Sequence, residues 1–392
     1  MTFSNASPLL HRQTLICALA ATDPATLADW LEVHEFTGDD ARWLQEQGMA
    51  VYAVHKLQRS DLLSRLPADA ATALHDRYHQ GVTTSAAQDW EIERVLQTLA
   101  EAGVAYTWVK GGMLAYTVYA NPADRQRGDL DLWILPEQLA QAQALVEGLG
   151  YTLHTKEHRP PALAQIVGTE LQMVNRFANL HLIELQSPVI RGEWIRRTTV
   201  VDHAGIWQRR VPAPLDGHVY PSMAPEDTLI YLCIHQAVSH QFGAPWLRNL
   251  LDVHQVVGKY DLDWTAIGER ASAWQVATVV WTVLDLARRL LNTAVPEPAM
   301  QQLSPSARRR RLIGWLDLDR ALLELRHGGY HQRRFLIQLL LVDRWQDAAR
   351  LLLRGAYPEA AWLRARYDLT PDQSVWRWRL VHLWLLATTT KT

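Results

Sequence analysis

Two short stretches hold residues whose types and spacing can do chemistry. Asp129-Leu130-Asp131-Leu132 sets two carboxylates in an apolar run, and Lys110-Gly111-Gly112 lies just upstream. On a strand successive side chains alternate faces, so Asp129 and Asp131 point the same way. Two buried acids repel each other and raise each other's pKa, so something positive must offset the cost. A pair of carboxylates aimed together suits a hard divalent cation with oxygen ligands, Mg²⁺ or Mn²⁺. Mg²⁺ held this way bridges carboxylates to a substrate phosphate. Lys110-Gly111-Gly112 offers the cradle for that phosphate. Glycine lets the backbone come close, and a helix starting there presents free amides to an anion. Each motif is weak alone, since D-x-D is common and glycines often only turn a chain. Their ordered combination of strand, Gly-Gly, helix and D-x-D strand is far more specific.

These residues need a sheet to position them. Val104–Val109 is short, apolar and β-prone, and a short helix fits Met113–Tyr119 before Asn121-Pro122 breaks it. Leu130–Leu135 reads as a strand buried on both sides. Pro136 opens a helix through Glu147, with Leu139, Ala142, Val146 and Leu149 on one face. Tyr151–Thr155, Glu170–Val174 and Leu180–Leu185 read as further strands. Upstream the chain is helical: Ile92, Val95, Leu96 and Leu99 fall on one face, with Gly103 as the terminating glycine. From Pro225-Glu226-Asp227, a good helix start, helical patterns return and run to the end. The expectation is an α+β chain: a small mixed β-sheet core at 103–220, embedded between helical regions at 1–102 and 221–392. Val109, Leu130, Leu132, Ile134 and Leu182 are its expected buried residues.

Composition narrows the function class. The 392 residues are 48% hydrophobic and 20% charged, ordinary for a globular chain, and a net charge of -2 gives no global drive toward nucleic acid or anionic membrane. Lysine occurs only at 56, 110, 156, 259 and 391, which singles out Lys110 beside the glycines. Two cysteines, Cys17 and Cys233, allow no disulfide framework and fit a reducing cytoplasm. The N-terminus does not read as a signal peptide, and no apolar run reaches membrane-spanning length. The tail VWRWRLVHLWLL reads as a core-packing helix rather than a membrane-surface one. Ser304–Arg311 reads as a loop with a solvated charge run. P-loop, G-x-S-x-G, H-E-x-x-H and G-x-G-x-x-G motifs do not occur.

The Gly-Gly turn and D-x-D strand resemble the nucleotidyltransferase superfamily that includes polymerase β. The chain looks most like the family of uncharacterised nucleotidyltransferases. Its L-K-G turn, helix ending in Tyr and R-x-x-x-D-[IL]-D-L match Val109-Lys110-Gly111, Tyr119 and Arg125 with Asp129-Leu130-Asp131-Leu132. Its third acid matches Glu184, in place of the usual Asp, and Gln186 stands where the family usually has His. The P-E-D helix and later L-R-x-x-x-D match Pro225–Asp227 with His235 and His240, and Leu247-Arg248 with Asp252.

The resemblance implies metal-assisted transfer of a nucleoside monophosphate from a nucleoside triphosphate, expected to be ATP. The acceptor would be a small molecule, peptide or protein. Asp129, Asp131 and Glu184 would hold Mg²⁺ or Mn²⁺, with Glu184 helping to deprotonate the acceptor. Gly111 and Gly112 would hold the triphosphate, with Lys110 and Arg125 as charge stabilisers. Arg127 is an alternative ion-pair partner for the Asp129–Asp131 pair. His235 reads as a satisfied core histidine, Asp252 as a structural partner of Arg248 or His235, and His75/His79 as a solvated helix face. Trp108, Trp133 and Trp246 are candidates to stack on a base. Two other classes remain: a catalytically degenerate nucleotide- or partner-binding module, and an RNA-acting nucleotide-adding transferase, which the charge balance disfavours.

Overall fold

The computed structural model describes residues 7–154, 168–243, 247–324 and 331–388. Its centre is a seven-stranded mixed sheet: β1 (Tyr106–Val109), β2 (Leu130–Ile134), β3 (Thr152–His154), β4 (Thr169–Val174), β5 (Leu182–Ser187), β6 (Val211–Leu215) and β7 (His218–Ser222). The spatial order is β3-β4-β5-β2-β1-β7-β6. β2 runs antiparallel to β1 and parallel to β5, so the two strands carrying the predicted acids are neighbours. All residues of β1 and β2 are buried, including Thr107 and Asp131 within their otherwise apolar runs.

Helices from both ends enclose this sheet. The 34-residue helix Ala68–Glu101 buries Ile92, Val95, Leu96 and Leu99, and Gly103 (φ +68°) ends it in the left-handed conformation that glycine adopts without strain. The sheet returns to helix at Pro225–Val238 and Leu247–Lys259. The first of these has more than a dipole at its start. Asp227 is fully buried between Arg209 and Arg270, with Nε–Oδ2 of 2.9 Å and Nη1–Oδ1 of 3.0 Å. The two ends of the chain also meet: Trp43 Nε1 donates to the Leu323 carbonyl and the Gln47 amide to the Leu322 carbonyl, both at 3.1 Å.

Several sequence expectations shift. The helix after β1 starts at Lys110, not Met113, because the Gly-Gly pair folds into its first turn. Leu182 is half-buried, while Ile183 and Leu185 fill the core, since Leu182 shares its face with Glu184. Thr155 of the third expected strand lies outside the described residues. The β6–β7 hairpin was unanticipated. Its prolines weaken the strand signal, but Asp216-Gly217, both at positive φ (48° and 83°), form the two-residue turn typical of hairpins. Arg308–Arg311 is not in a loop. Ser306 caps the helix Ala307–Gly314, and Arg309 is buried with its guanidinium 4.1 Å from the Trp345 ring centroid. The helix Val375–Thr388 is only partly packed: His382 turns in, but Trp376, Leu380 and Trp384 are each 63% exposed.

Candidate metal and nucleotide site

Parallel pairing of β2 with β5 sets Asp131 opposite Glu184 in register, and Asp129 stands just ahead of β2. Each of these three acids offers a carboxylate oxygen, and the three oxygens lie within 4.8 Å of one another. Asp131 is buried and Glu184 is 12% exposed. The positive group that the buried acids demand is Lys110. Its Nζ lies 2.5 Å from Asp131 Oδ1 and 3.5 Å from Glu184 Oε2. Gln186 adds a second clamp, donating its amide to Asp131 Oδ1 at 2.5 Å and to Glu184 Oε2 at 3.1 Å. Gln172 donates to the other oxygen of Glu184 at 2.8 Å.

Burial pushes the Asp131 carboxyl well above the usual range, against the pull of Lys110; Asp129 and Glu184 add to the rise. Burial alone would lower the Lys110 ammonium, but Asp131, Tyr231, Glu184 and Asp129 hold it above its ordinary value. Lys110 therefore stays charged. This all-oxygen, close-set and under-compensated carboxylate cluster fits a hard divalent cation.

Gly111 and Gly112 lie in the first turn of the helix Lys110–Thr117, whose opening amides have no partner within the helix. A Cβ on Gly112 would sit 2.8 Å from Trp108 Nε1, and one on Gly111 would sit 2.7 Å from Arg125 Nη2. At both positions a side chain would force its neighbour to shift, whatever the turn binds. Arg125 does not point at the acids. Its Nε and Nη2 engage Asp252 at 2.7–3.0 Å, and Tyr119 Oη donates to the same carboxylate at 2.7 Å. Asp252 thus pairs with Arg125 and Tyr119, not with Arg248 or His235. Arg127 likewise turns away from the acids. It pairs with Asp89 at 2.5 Å and donates to Tyr116 and Ser85.

The helix Pro225–Val238 closes the site from the side. His235 keeps some exposed surface on this helix, and its Nε2 meets His240 Nε2 at 2.9 Å. Burial pulls both imidazoles down, His240 to about 3, with Lys110 reinforcing the effect. Tyr231 on the same helix is pushed up to about 12 by burial, with Lys110 opposing and Asp131 contributing. Burial and neighbouring Arg125 lower the Arg248 guanidinium to about 10. Sequence reasoning missed Tyr231, Gln172 and Arg191. Arg191 donates to Gln186 Oε1 at 2.6 Å and pairs with Glu170. The β4–β5 register, unreadable in one dimension, sets Gln172 opposite Glu184, while Tyr231 comes from the helix Pro225–Val238 and Arg191 from the segment after β5. Trp108 (0% exposed) and Trp133 (3%) are core residues with no face for a base, and Trp246 lies outside the described residues. His75 and His79 touch each other on an exposed helix face.

Residues 39–292 match the family described as uncharacterised nucleotidyltransferases. The chain belongs to that family. The match takes in the whole carboxylate site together with Gly111, Gly112 and Asp252. A solved structure, the crystal structure of an antigenic nucleotidyltransferase-like protein from Paracoccidioides brasiliensis, is 17% identical. It covers 55% of this chain and 97% of its own, with a TM-score of 0.33. None of the curated proteins matches the chain. Among the described residues no helix is long and apolar enough to cross a membrane.

Proposed function

We propose that this family member transfers a nucleoside monophosphate from a nucleoside triphosphate, with ATP the expected donor, to a small-molecule, peptide or protein acceptor. The observation that carries this reading is the convergence of Asp129, Asp131 and Glu184 within 4.8 Å beside the Gly111-Gly112 helix start. Asp129, Asp131 and Glu184 would hold Mg²⁺ or Mn²⁺. Bound there, the ion supplies Lewis-acid stabilisation of the phosphoryl charge. The opening amides of the helix Lys110–Thr117 receive the triphosphate. Arg125, locked to Asp252, supports Gly111 from beneath and adds positive potential without spending its hydrogen bonds on substrate. In the reaction the acceptor's nucleophilic atom bonds to the α-phosphorus. The bond from that phosphorus to the bridging oxygen breaks, and pyrophosphate leaves. Glu184 takes the acceptor's proton. Gln186 and Gln172 hold Glu184 in place for that step.

The test is incubation with each of the four triphosphates and Mg²⁺ or Mn²⁺. Pyrophosphate release is followed, together with mass spectrometry for an added nucleotide mass on the protein and on candidate acceptors. Metal-dependent release that Asp131→Asn abolishes supports the reading. Tight nucleotide binding with no release under any condition replaces it with a degenerate binding module.

A further inference from the structure

Lys110 is an odd residue for its position. Its φ is +60°, a left-handed conformation that is strained for an L-residue and that glycine adopts freely. Two glycines follow it, yet this position keeps a lysine in a chain with only five. The strained backbone sends the side chain into the carboxylate cluster. There Nζ lies 2.5 Å from Asp131 Oδ1 and 3.5 Å from Glu184 Oε2, with the side chain only 12% exposed. The oxygens that would ligate an ion span no more than 4.8 Å. A divalent ion bonded to them at about 2.0–2.6 Å would collide with the ammonium, in space and in charge.

We propose that the Lys110 ammonium is a built-in occupant of the cation position, and that it keeps the site closed to free metal until a triphosphate arrives to receive the ammonium. This rests on the metal-binding part of the function proposed above. The ammonium offsets part of the carboxylate charge in the nucleotide-free protein, in the place an ion would otherwise take. The triphosphate brings its own negative charge to the adjacent Gly-Gly turn. Lys110 needs only side-chain rotation to move from the acids to that anion. Metal and nucleotide then bind with positive coupling, and this coupling is reciprocal.

The test measures Mn²⁺ binding to the full chain by electron paramagnetic resonance of the free ion, with and without a non-hydrolysable ATP analogue. Wild type should bind Mn²⁺ weakly alone and at least about tenfold more tightly with the analogue. Lys110→Met should bind Mn²⁺ alone about tenfold or more tightly than wild type, and the gain from the analogue should shrink by a similar factor. Lys110→Arg, which keeps the charge, should stay weak alone. A folded Lys110→Met protein that binds Mn²⁺ no better than wild type overturns the proposal. If that variant does not fold, wild type still decides. With ¹⁵N-lysine, Mg²⁺ plus the analogue should shift the Lys110 Nζ signal, assigned by its loss in Lys110→Arg; an unmoved signal overturns the proposal. A Lys110→Met gain in Mn²⁺ affinity without any analogue binding would instead support the occupant and sink the transferase reading.

Discussion

Asp131→Asn removes one charge from a buried cluster of three carboxylates and one ammonium. Because folding raises the Asp131 pKa, its contribution to stability is full below the ordinary value of about 4 and is lost as pH climbs through the folded value. Wherever it is ionised, the group therefore opposes folding. The Asn variant should melt at the same temperature as wild type or a few degrees higher, while its metal-plus-nucleotide shift disappears. A lower melting temperature in the absence of metal would mark Asp131 as a structural acid. The histidines work in the opposite sense. His235 and His240 have lowered folded values, so their contribution is present above about pH 6.5 and lost as pH falls toward the folded value, about 3 for His240. His240→Asn should flatten the loss of stability between about pH 6.5 and 4, measured by urea unfolding at stepped pH. At this scale Asp129, Asp131 and the glycines stood out by residue type and spacing, and Glu184 only through the family resemblance. The partners were not. That Arg125 meets Asp252 rather than a phosphate, and that Arg127 meets Asp89, depends on contacts across long stretches of chain that no local pattern encodes.

The first turn of the helix Lys110–Thr117 is fixed from two sides. Gly112→Ala would press a methyl to 2.8 Å from the Trp108 indole nitrogen, and Trp108 has no room to retreat at 0% exposure. The expected cost is about 1–3 kcal/mol of stability in urea unfolding. Gly111→Ala meets the far end of the Arg125 side chain instead. That guanidinium is held by Asp252, so nucleotide affinity should fall more than stability does, which isothermal titration with the ATP analogue would show. Equal stability losses in the two variants would contradict this difference. The strands around this turn were readable because β1 and β2 are apolar and β-prone apart from Thr107 and Asp131. The β6–β7 hairpin was not, since Pro212, Pro214 and Pro221 mask it despite its Asp-Gly turn. The register that places Asp131 beside Glu184 follows from parallel pairing, of which the family resemblance implied only that the two acids share a metal site.

Across the molecule, Gln47 joins parts of the chain that composition alone would separate. It is 1% exposed, donates to the Leu322 carbonyl, and accepts from the Leu247 amide at 3.1 Å. Gln47→Ala leaves both groups unsatisfied in the interior, at about 1–3 kcal/mol for each. We expect a clear fall in melting temperature in one cooperative calorimetric transition, because the helices at both ends share a continuous core with the sheet. Two resolved transitions would show instead that the helical regions fold as units of their own. The helical, mixed, helical order was legible from the change of hydrophobic period. The docking of Trp43 and Gln47 onto the segment near Leu323 was not, because its signal is a pair of carbonyls without any side-chain pattern.

The parallel placement of β2 beside β5 also has a kinetic consequence. The Gln186–Asp131 clamp joins residues 55 apart in sequence, and the Arg125–Asp252 pair beneath Gly111 joins residues 127 apart. Closing loops of that length is slow compared with forming a helix or hairpin. The cation position therefore does not exist in any early, locally ordered state of the chain, nor in a fragment cut between β2 and β5. Nascent chains leaving the ribosome would hold the N-terminal helices and β1 long before they could hold an ion. Acquisition of nucleotide-dependent metal binding during refolding would thus report the last long-range step and should lag behind the recovery of helical circular dichroism.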